Sequence, residues 1–369
     1  MACSTGIAGV VTWSMRIVGA VAWSMRPAGA VLFVAGLIGP AAAAEQASAA
    51  ATLSVLTSPV ERHAGGAGSA EPAVDGMNLA EGDRIKTGPN GVALITFLNG
   101  TTVTVLSDTE VTVKQTGEGR GQSGGMRLLI HAGRVWALVV QALGRRSSLS
   151  LESNEYTATA HDGLIGAEQA SEGFVCWSRR GELRLTDRGR FTDVVVAAGR
   201  KARAHHGLPV TPEPFLPSAS VIEIRTSGPV APLLRMPDGR MAVGFLAGDV
   251  EVNQVFGSLT ERVRRDRWLV EVPGGQPGSY MLVLSATGVG PFTARISARY
   301  TGRLVYEREL SGAVHAGDRL SARFTHDVSG AEARSARALR ATFEGLQPWT
   351  GDEPVAVVAR PAAARGDVN

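Results

Sequence analysis

Two turn signals in the stretch from Leu79 to Val105 constrain the fold more than any other feature of this chain. In Gly88-Pro89-Asn90-Gly91, proline presets φ for the second position of a turn, and the residues after it tolerate the backbone conformation of the later turn positions. Asn99-Gly100, between two apolar-rich runs, is typical of a β-hairpin. The stretch therefore predicts two consecutive hairpins.

The second turn also predicts a strand register. If Asn99 and Gly100 form a two-residue loop, Leu94 lies opposite Val105, and the pairs Ile95–Thr104, Thr96–Val103 and Phe97–Thr102 follow from it. The first arm is then apolar on both faces. Such a strand belongs inside a sheet that is covered on both sides, so we expect the meander to be the core of a β domain.

The rest of the chain favours the same fold class. Its 45 Gly and 18 Pro residues suit many short strands joined by turns, and 44% hydrophobic residues are too many for a disordered chain. Short apolar runs with turn residues between them recur up to Ala204 without a long helical pattern. We predict an all-β protein with two antiparallel β-sandwich or roll domains, joined by a Pro-rich linker and followed by a short C-terminal helix.

The meander also carries a family resemblance. It resembles the signature of the FecR domain, an extracytoplasmic module, at Leu79, Gly82, Asp83, Ile85, Thr87, Gly88, Asn90, Gly91, Ala93, Phe97, Asn99, Gly100 and Val103. Leu128 to Trp136 (LLIHAGRVW) is similar to the second block of the family, with Gly133, Val135 and Trp136 in its Gly-x-Val-Trp element. Residues 150–204 resemble the remainder. The chain departs from the family at Leu164-Ile165-Gly166-Ala167, where an Arg/Lys-Gly-Thr turn is usual.

The resemblance implies a first domain over residues 45–204. Residues 205–220 are rich in proline and predict the linker. Residues 221–329 resemble the small β-sandwich domains appended to secreted bacterial proteins. In residues 330–369, Ala336, Leu339 and Phe343 lie at helical spacing within Ala331–Glu344, and the tail after Gly351 is expected to be mobile.

Residues 1–44 are interpreted as a leader. From Met25 the chain has Arg26, an apolar run to Ile38 and the small-residue site Ala42-x-Ala44, which together are typical of a secretory signal peptide. We expect Met25 to be the true start and cleavage to follow Ala44, and an uncleaved anchor stays as the alternative. No stable membrane span is expected after cleavage, and the protein is expected to be periplasmic or secreted.

Charge and cysteine content limit the partners. The chain has 37 basic and 34 acidic residues, a net charge of +3, so we expect no nucleic-acid partner. The high isoelectric point is interpreted as many arginines on a nearly neutral molecule, without a basic patch. After cleavage Cys176 has no cysteine to pair with, and a small buried hydrophobic residue is favoured there over a reactive thiol.

No motif of the chain predicts catalysis, and we expect neither enzyme activity nor a cofactor. One set of residues is a candidate metal site. Asp249, Glu251 and Asn253 alternate along one strand face, and their oxygen atoms suit a calcium ion. A solvated strand face explains the same pattern and is the preferred interpretation.

These observations predict an exported, non-enzymatic binding or scaffold protein of the cell envelope. Its partner is expected to be an envelope protein, engaged by strand addition at an exposed sheet edge, or a cell-wall glycan. One alternative is a FecR-type signal-transducing sensor coupled to an envelope partner, although a leader alone is expected before the β region. Another is an accessory part of a secreted enzyme.

Overall fold

The computed structural model describes residues 51–117, 125–141, 147–190, 192–248, 250–328 and 339–349. The chain divides into two units, Met1–Gln46 and Ala47–Asn369, and every described residue lies in the second. In the described ranges every regular element is a β-strand except one 3-10 turn, Ala64–Gly66. The predicted all-β class is therefore confirmed. The predicted leader lies outside the described residues, and no described helix is long and apolar enough to cross a membrane.

The first sandwich is built from two sheets, and the chain crosses between them several times. Its described strands are β1 (Ala51–Thr57), β2 (Val60–His63), β3 (Ala70–Pro72), β4 (Met77–Leu79), β5 (Arg84–Thr87), β6 (Val92–Phe97), β7 (Thr102–Val105), β8 (Glu110–Thr116), β9 (Gly125–Val139), β10 (Ser148–Glu152), β11 (Tyr156–Ala160), β12 (Gly163–Ala170), β13 (Gly173–Arg180), β14 (Leu183–Asp187), β15 (Thr192–Val196), β16 (Arg200–Ala204) and β17 (Glu213–Pro214).

Sheet A has the order β4-β1-β6-β7-β9-β12-β13-β16-β17, and sheet B has the order β3-β2-β5-β8-β9-β10-β11-β14-β15. The described pairs are antiparallel except β9 with β10, which is parallel. Apolar side chains of the two sheets form one core, with Leu53 and Ile95 from sheet A and Ile85 and Leu128 from sheet B.

Strand β9 belongs to both sheets because it bends at Gly133. Before the bend it pairs with β8 and β10 in sheet B, and after it with β7 and β12 in sheet A. Gly133 has φ +84°, and a Cβ there would lie 2.4 Å from Thr109 Oγ1 and 2.6 Å from the carbonyl oxygen of Asp108. Only glycine fits this bend without displacing the neighbouring backbone.

The Asn99-Gly100 hairpin exists, but its predicted register is wrong by one residue. Leu94 pairs with Thr104 and not with Val105. The loop has three residues, because the N–H of Phe97 donates to the carbonyl of Thr101 and Gly100 takes φ +87°. The predicted burial of the first arm is nevertheless confirmed, since Leu94, Ile95 and Phe97 are each at most 1% exposed.

The Gly88–Gly91 turn does not form a hairpin. It connects β5 of sheet B to β6 of sheet A, so the strands on its two sides belong to different sheets. The N–H of Gly91 donates to the carbonyl of Gly88 at 3.0 Å, as in a tight turn. A Cβ on Gly91 would lie 2.1 Å from the carbonyl oxygen of Pro59. The turn residues are therefore used for a close crossing between the two sheets.

The second sandwich begins at Ser220. Its described strands are β18 (Ser220–Ser227), β19 (Val230–Arg235), β20 (Ala242–Leu246), β21 (Val250–Asn253), β22 (Leu259–Arg264), β23 (Arg267–Pro273), β24 (Gly278–Ala286), β25 (Gly290–Tyr300), β26 (Arg303–Val314), β27 (Arg319–Val328), β28 (Leu339–Phe343) and β29 (Gln347–Pro348). Sheet C has the order β22-β23-β18-β25-β26, and sheet D has the order β21-β20-β19-β24-β27-β28, with β29 also on β27. Their apolar faces enclose a separate core.

The predicted C-terminal helix is wrong where the structure describes it. Leu339–Phe343 form β28, which pairs with β27, and residues 331–338 lie outside the described residues. The ring of Phe343 lies 5.7 Å from those of Phe324 and Tyr306. Pairing with an existing sheet edge and these ring contacts outweigh a short helical pattern. The second sandwich therefore continues through Pro348, beyond the predicted boundary at 329.

The Pro-rich segment 205–220 connects the two sandwiches but does not run free of them. Glu213–Pro214 pair with β16, and the N–H of Phe215 donates to the carbonyl of Gly199 at 2.9 Å. The Phe215 side chain is only 5% exposed. The segment is therefore packed against the first sandwich along part of its length.

Candidate functional site

The first block of motif residues holds turns of the first sandwich in place. The buried carboxylate of Asp83 accepts hydrogen bonds from Arg62 Nε at 2.9 Å and from the N–H groups of Gly65 and Ala80 at 3.0 Å. Gly82 beside it has φ +92°. These bonds close the loop that leads into β5, so the Gly-Asp pair has a structural role.

Thr87 and Asn99 act in the same way. The buried Thr87 hydroxyl donates to the carbonyl of Leu106 at 2.5 Å and accepts from the N–H of Thr109 at 3.0 Å. Asn99 Oδ1 accepts from the N–H of Thr101 at 3.0 Å. Asn90 lies exposed at the turn, and Phe97 is buried in the core. None of these side chains is arranged around a reactive group.

Trp136 differs from the other motif residues because its side chain lies outside the core of the first sandwich and contacts the second sandwich. Val135 points into the core between sheets A and B. Trp136 points to the opposite face of sheet A, and a Cβ on Gly166 would lie 2.8 Å from its ring. Its indole Nε1 donates to Asn253 Oδ1 of the second sandwich at 2.8 Å, and both residues are at most 1% exposed. Trp136 therefore joins the two sandwiches.

An aromatic cluster surrounds this joint. Phe256 of the second sandwich lies 5.3 Å from Trp136 and 5.1 Å from Trp177, in edge-to-face geometry. Phe215 of the connecting segment lies 6.0 Å from Phe256. The guanidinium of Arg134 lies over the Phe256 ring at 4.7 Å. Such contacts contribute about 0.5–1.5 kcal/mol per pair beyond burial of their area, so the joint is well packed.

Two ion pairs flank the cluster. Arg180 binds Glu251 with both ends of its guanidinium, at 2.8 Å and 2.9 Å, and Arg179 binds Glu271. Thr260 donates to the same Glu251 carboxylate. Paired fork geometry of this kind orients two surfaces as well as attracting them. We call the aromatic cluster and the two ion pairs, together with Trp136 and Asn253, the interface.

The two described members of the calcium candidate belong to the interface. Glu251 is bound by Arg180, and Asn253 Oδ1 accepts from Trp136 and from Ser258 Oγ at 2.6 Å. Asp249 lies outside the described residues. In the part of the chain that the structure describes, no group of three His, Cys, Asp or Glu residues is placed to hold a metal. The calcium hypothesis stays a prediction, tested by adding chelator and measuring the melting midpoint.

Several interface residues carried no signal in the sequence. Phe215 lies in the Pro-rich segment, Phe256 follows a strand end, and Arg179 and Arg180 resemble an ordinary charged turn. A sequence signal existed only for Trp136, through its motif, and for Glu251 and Asn253, through their alternation along one strand. That alternation indicated a shared face, and the face meets the first sandwich of the same chain.

A cavity of about 380 Å³ opens elsewhere in the first sandwich, lined by polar side chains and by the stacked rings of Tyr156 and Phe174. His131 lies at its wall and makes a 2.8 Å hydrogen bond with Thr112 Oγ1. Burial, followed by the charge of Arg84, lowers the pKa of His131, so its imidazole is neutral at pH 7. The cavity offers hydrogen bonds and no recognisable reactive pair.

The chain shows little similarity to known proteins. No family model matches the chain, and no curated protein matches it. Among solved structures the chain is similar to a candidate anti-sigma factor from Parabacteroides distasonis ATCC 8503, in crystal structures at 1.65 Å and 2.50 Å resolution. Each shows 11% sequence identity and a TM-score of 0.30, with 36% of this chain covered. The chain spans 59% of the length of those proteins.

Proposed function

We propose that the protein is an exported, non-enzymatic scaffold of the cell envelope, with a FecR-like first sandwich that binds another envelope protein or a cell-wall glycan. The interface is the single observation that carries this proposal. It couples the motif residue Trp136 to the second sandwich, so that two sandwiches present their surfaces in one orientation. A binding scaffold needs such rigidity, since pre-ordered surfaces lose less entropy when a partner docks.

The FecR-like assignment is supported by the places that the motif residues occupy. Gly82, Asp83 and Thr87 fix the loops around β5, and Gly133 bends β9 between the sheets. Each of these motif positions therefore has a physical reason to carry its residue type. That is the pattern expected if the motif encodes a fold shared with the family.

Partner binding is proposed at the outer edge of β15, which pairs with β14 and with no other strand that the structure describes. The other edges of the first sandwich are short or contain proline: β3 and β4 have 3 residues each and β17 has 2. Strand β15 has 5 residues, no proline and three successive valines, and Val195 is 46% exposed. An exposed β-branched edge without proline is suited to strand addition by an extended peptide.

The test is a pull-down from native envelope extract with immobilised Ala47–Asn369. We expect the wild type to retain an envelope protein or peptidoglycan and Val195→Lys to lose it, because a charge on the edge opposes strand addition. Val74→Lys is the matched control, since Val74 is exposed and lies outside every described strand. If the wild type retains nothing, the scaffold proposal fails. If Val195→Lys retains the same partner, only the β15 assignment fails.

Export has its own test. N-terminal sequencing of the exported protein is expected to begin at Glu45, which follows the proposed cleavage site. An N-terminus upstream of Ala44 would show instead that the leader stays as an anchor.

A further inference from the structure

Four arginines crowd the hairpin between β22 and β23. Glu261 to Arg267 reads ERVRRDR, and all seven residues are exposed. We call these seven residues the arginine tip. The guanidinium of Arg262 lies 5.5 Å from the ring centroid of the buried Trp268, which anchors the base of the tip to the sandwich. The tip also contains Glu261 and Asp266, so its four arginines and two acidic residues give it a net charge of +2 (4 − 2) out of +3 for the whole chain.

The tip differs from the centre of its sheet in how its arginines are compensated. The arginines of β18 and β25 are all paired with glutamates: Arg225 with Glu223, Arg295 with Glu309, and Arg299 with Glu223. By contrast, no described carboxylate forms an ion pair with Arg264, Arg265 or Arg267. Because these three arginines lie together at one end of the sheet, they produce a local positive potential that attracts anions.

The tip is one wall of a concave surface. Two other loops meet it, because the N–H of Gly228 donates to the carbonyl of Asp266 at 3.0 Å and that of Thr287 donates to Pro229 at 2.8 Å. Together with the loop at Gly248 they enclose a cavity of about 630 Å³. Arg262, Arg265 and Asp266 line this cavity. A guanidinium fork suits the oxygen atoms of a phosphate group, which it binds with two hydrogen bonds.

Exposed apolar side chains accompany the charges. Val263 in the tip is 49% exposed. Val289 is 69% exposed and lies two residues beyond Thr287, which lines the same cavity. Positive charge with protruding apolar side chains matches a bilayer surface, where phosphates lie above hydrocarbon. A nucleic acid or an anionic glycan would use the arginines but would have no use for the valines.

We propose that the arginine tip and the Val289 loop bind the surface of an anionic phospholipid bilayer, with lipid phosphates on Arg264, Arg265 and Arg267. This surface lies in the second sandwich and does not include β15. The inference therefore does not depend on the identity of the partner proposed above.

Vesicle co-sedimentation of Ala47–Asn369 tests the proposal. We expect binding to phosphatidylcholine vesicles that contain phosphatidylglycerol and little binding to phosphatidylcholine alone. Binding should weaken with added salt. Arg264→Glu with Arg265→Glu should reduce binding by more than about tenfold, because each arginine near an anionic surface contributes roughly fivefold. Val263→Ser with Val289→Ser should weaken binding without changing its salt dependence.

The matched control is Arg303→Glu with Arg308→Glu, which makes the same charge change on the exposed strand β26. This variant should bind the anionic vesicles as the wild type does. Inorganic phosphate at matched ionic strength should compete weakly, since it cannot engage the valines. Equal binding by wild type and the Arg264/Arg265 variant would overturn the proposal. So would equal losses in both arginine double variants, or retention of a phosphate-bearing polysaccharide without any vesicle binding.

Discussion

At the scale of single residues, Trp136 shows what a sequence motif does and does not reveal. The Gly-x-Val-Trp pattern singled out the residue, and a buried indole N–H requires an acceptor. The acceptor, Asn253, lies 117 positions further along the chain. No local pattern connects the two, so the sequence could identify Trp136 as important but could not show that it joins two sandwiches.

Replacing Trp136 by Phe tests the indole hydrogen bond. The change keeps an aromatic ring at the joint but leaves the buried Asn253 Oδ1 with only Ser258 as donor. We expect the free energy of unfolding to fall by about 1–3 kcal/mol, measured by urea denaturation. The control is the same change in an Asn253→Ala background, where the part of the cost due to the hydrogen bond should disappear. If Trp136→Phe lowers the free energy of unfolding equally in both backgrounds, the loss comes from packing and not from the hydrogen bond.

Cys176 supplies a pH prediction. The structure confirms that it is a buried free thiol, and burial raises its pKa from 9.0 to about 12. Above pH 9 the unfolded chain loses this proton while the folded chain keeps it, so the free energy of unfolding falls as pH rises towards about 12. The slope from this one group is about 1.4 kcal/mol per pH unit.

Urea denaturation across this range should therefore show a shallower alkaline loss in Cys176→Ala than in the wild type. At neutral pH the thiol is protonated in both states and makes no such contribution. Tyrosines titrate in both variants, so the difference between them isolates Cys176. Identical slopes would contradict the buried neutral thiol.

At the scale of elements, turn chemistry was the most informative part of the sequence and also the source of the main errors. Asn99-Gly100 correctly located a hairpin, but Asn-Gly also fits a three-residue loop with Gly in the left-handed region, and this changed the register. Gly88–Gly91 correctly located a turn. Whether a turn joins paired strands or two sheets depends on distant neighbours such as Pro59, which the local sequence does not specify.

The bend of β9 leads to a paired prediction on two glycines with nearly equal φ. Gly133 (φ +84°) would place a Cβ 2.4 Å from Thr109 Oγ1, whereas Gly100 (φ +87°) has nothing within 4 Å. Gly100→Ala should lower the free energy of unfolding by about 1–2 kcal/mol, because alanine is disfavoured in the left-handed backbone region. Gly133→Ala should lower the free energy of unfolding by about 3 kcal/mol or more. The new methyl group would be too close to neighbouring backbone, and this cost adds to that of the left-handed conformation.

Urea denaturation of the two variants measures this difference directly. Equal midpoints for Gly133→Ala and Gly100→Ala would mean that β9 relaxes around the added methyl group. The bend would then not be a tight constraint on the crossing between sheets A and B.

At the scale of the whole molecule, averages over the sequence concealed two features. A net charge of +3 suggested a molecule without a basic patch, yet four arginines cluster at one hairpin. The proline content of residues 205–220 predicted a linker but did not indicate that Phe215 is buried, with its ring 6.1 Å from that of Trp177. Both features depend on a few residues in a small region, so a composition averaged over hundreds of residues does not reveal them.

The interface makes a prediction about cooperativity. Each sandwich has its own core, so each could unfold separately if the interface did not couple them. Phe256 is the residue to remove, because it contacts Trp136, Trp177, Phe215 and the Arg134 guanidinium. Phe256→Ala should weaken the coupling by about 2–4 kcal/mol. Differential scanning calorimetry should then show one transition for the wild type and two for the variant.

The matched control is Leu216→Ala, which alters a residue beside Phe215 that is 85% exposed. It should keep the single transition and its midpoint. If Phe256→Ala also unfolds in one transition at the wild-type midpoint, the aromatic cluster does not couple the sandwiches. The fixed orientation on which a rigid scaffold depends would then have to come from the ion pairs of Arg179 and Arg180, or from the hydrogen bonds of Trp136 to Asn253 and of Arg240 to the Leu56 carbonyl. Phe256→Ala combined with Arg180→Ala distinguishes these cases, because only a chain held by those ion pairs would acquire its second transition at that step.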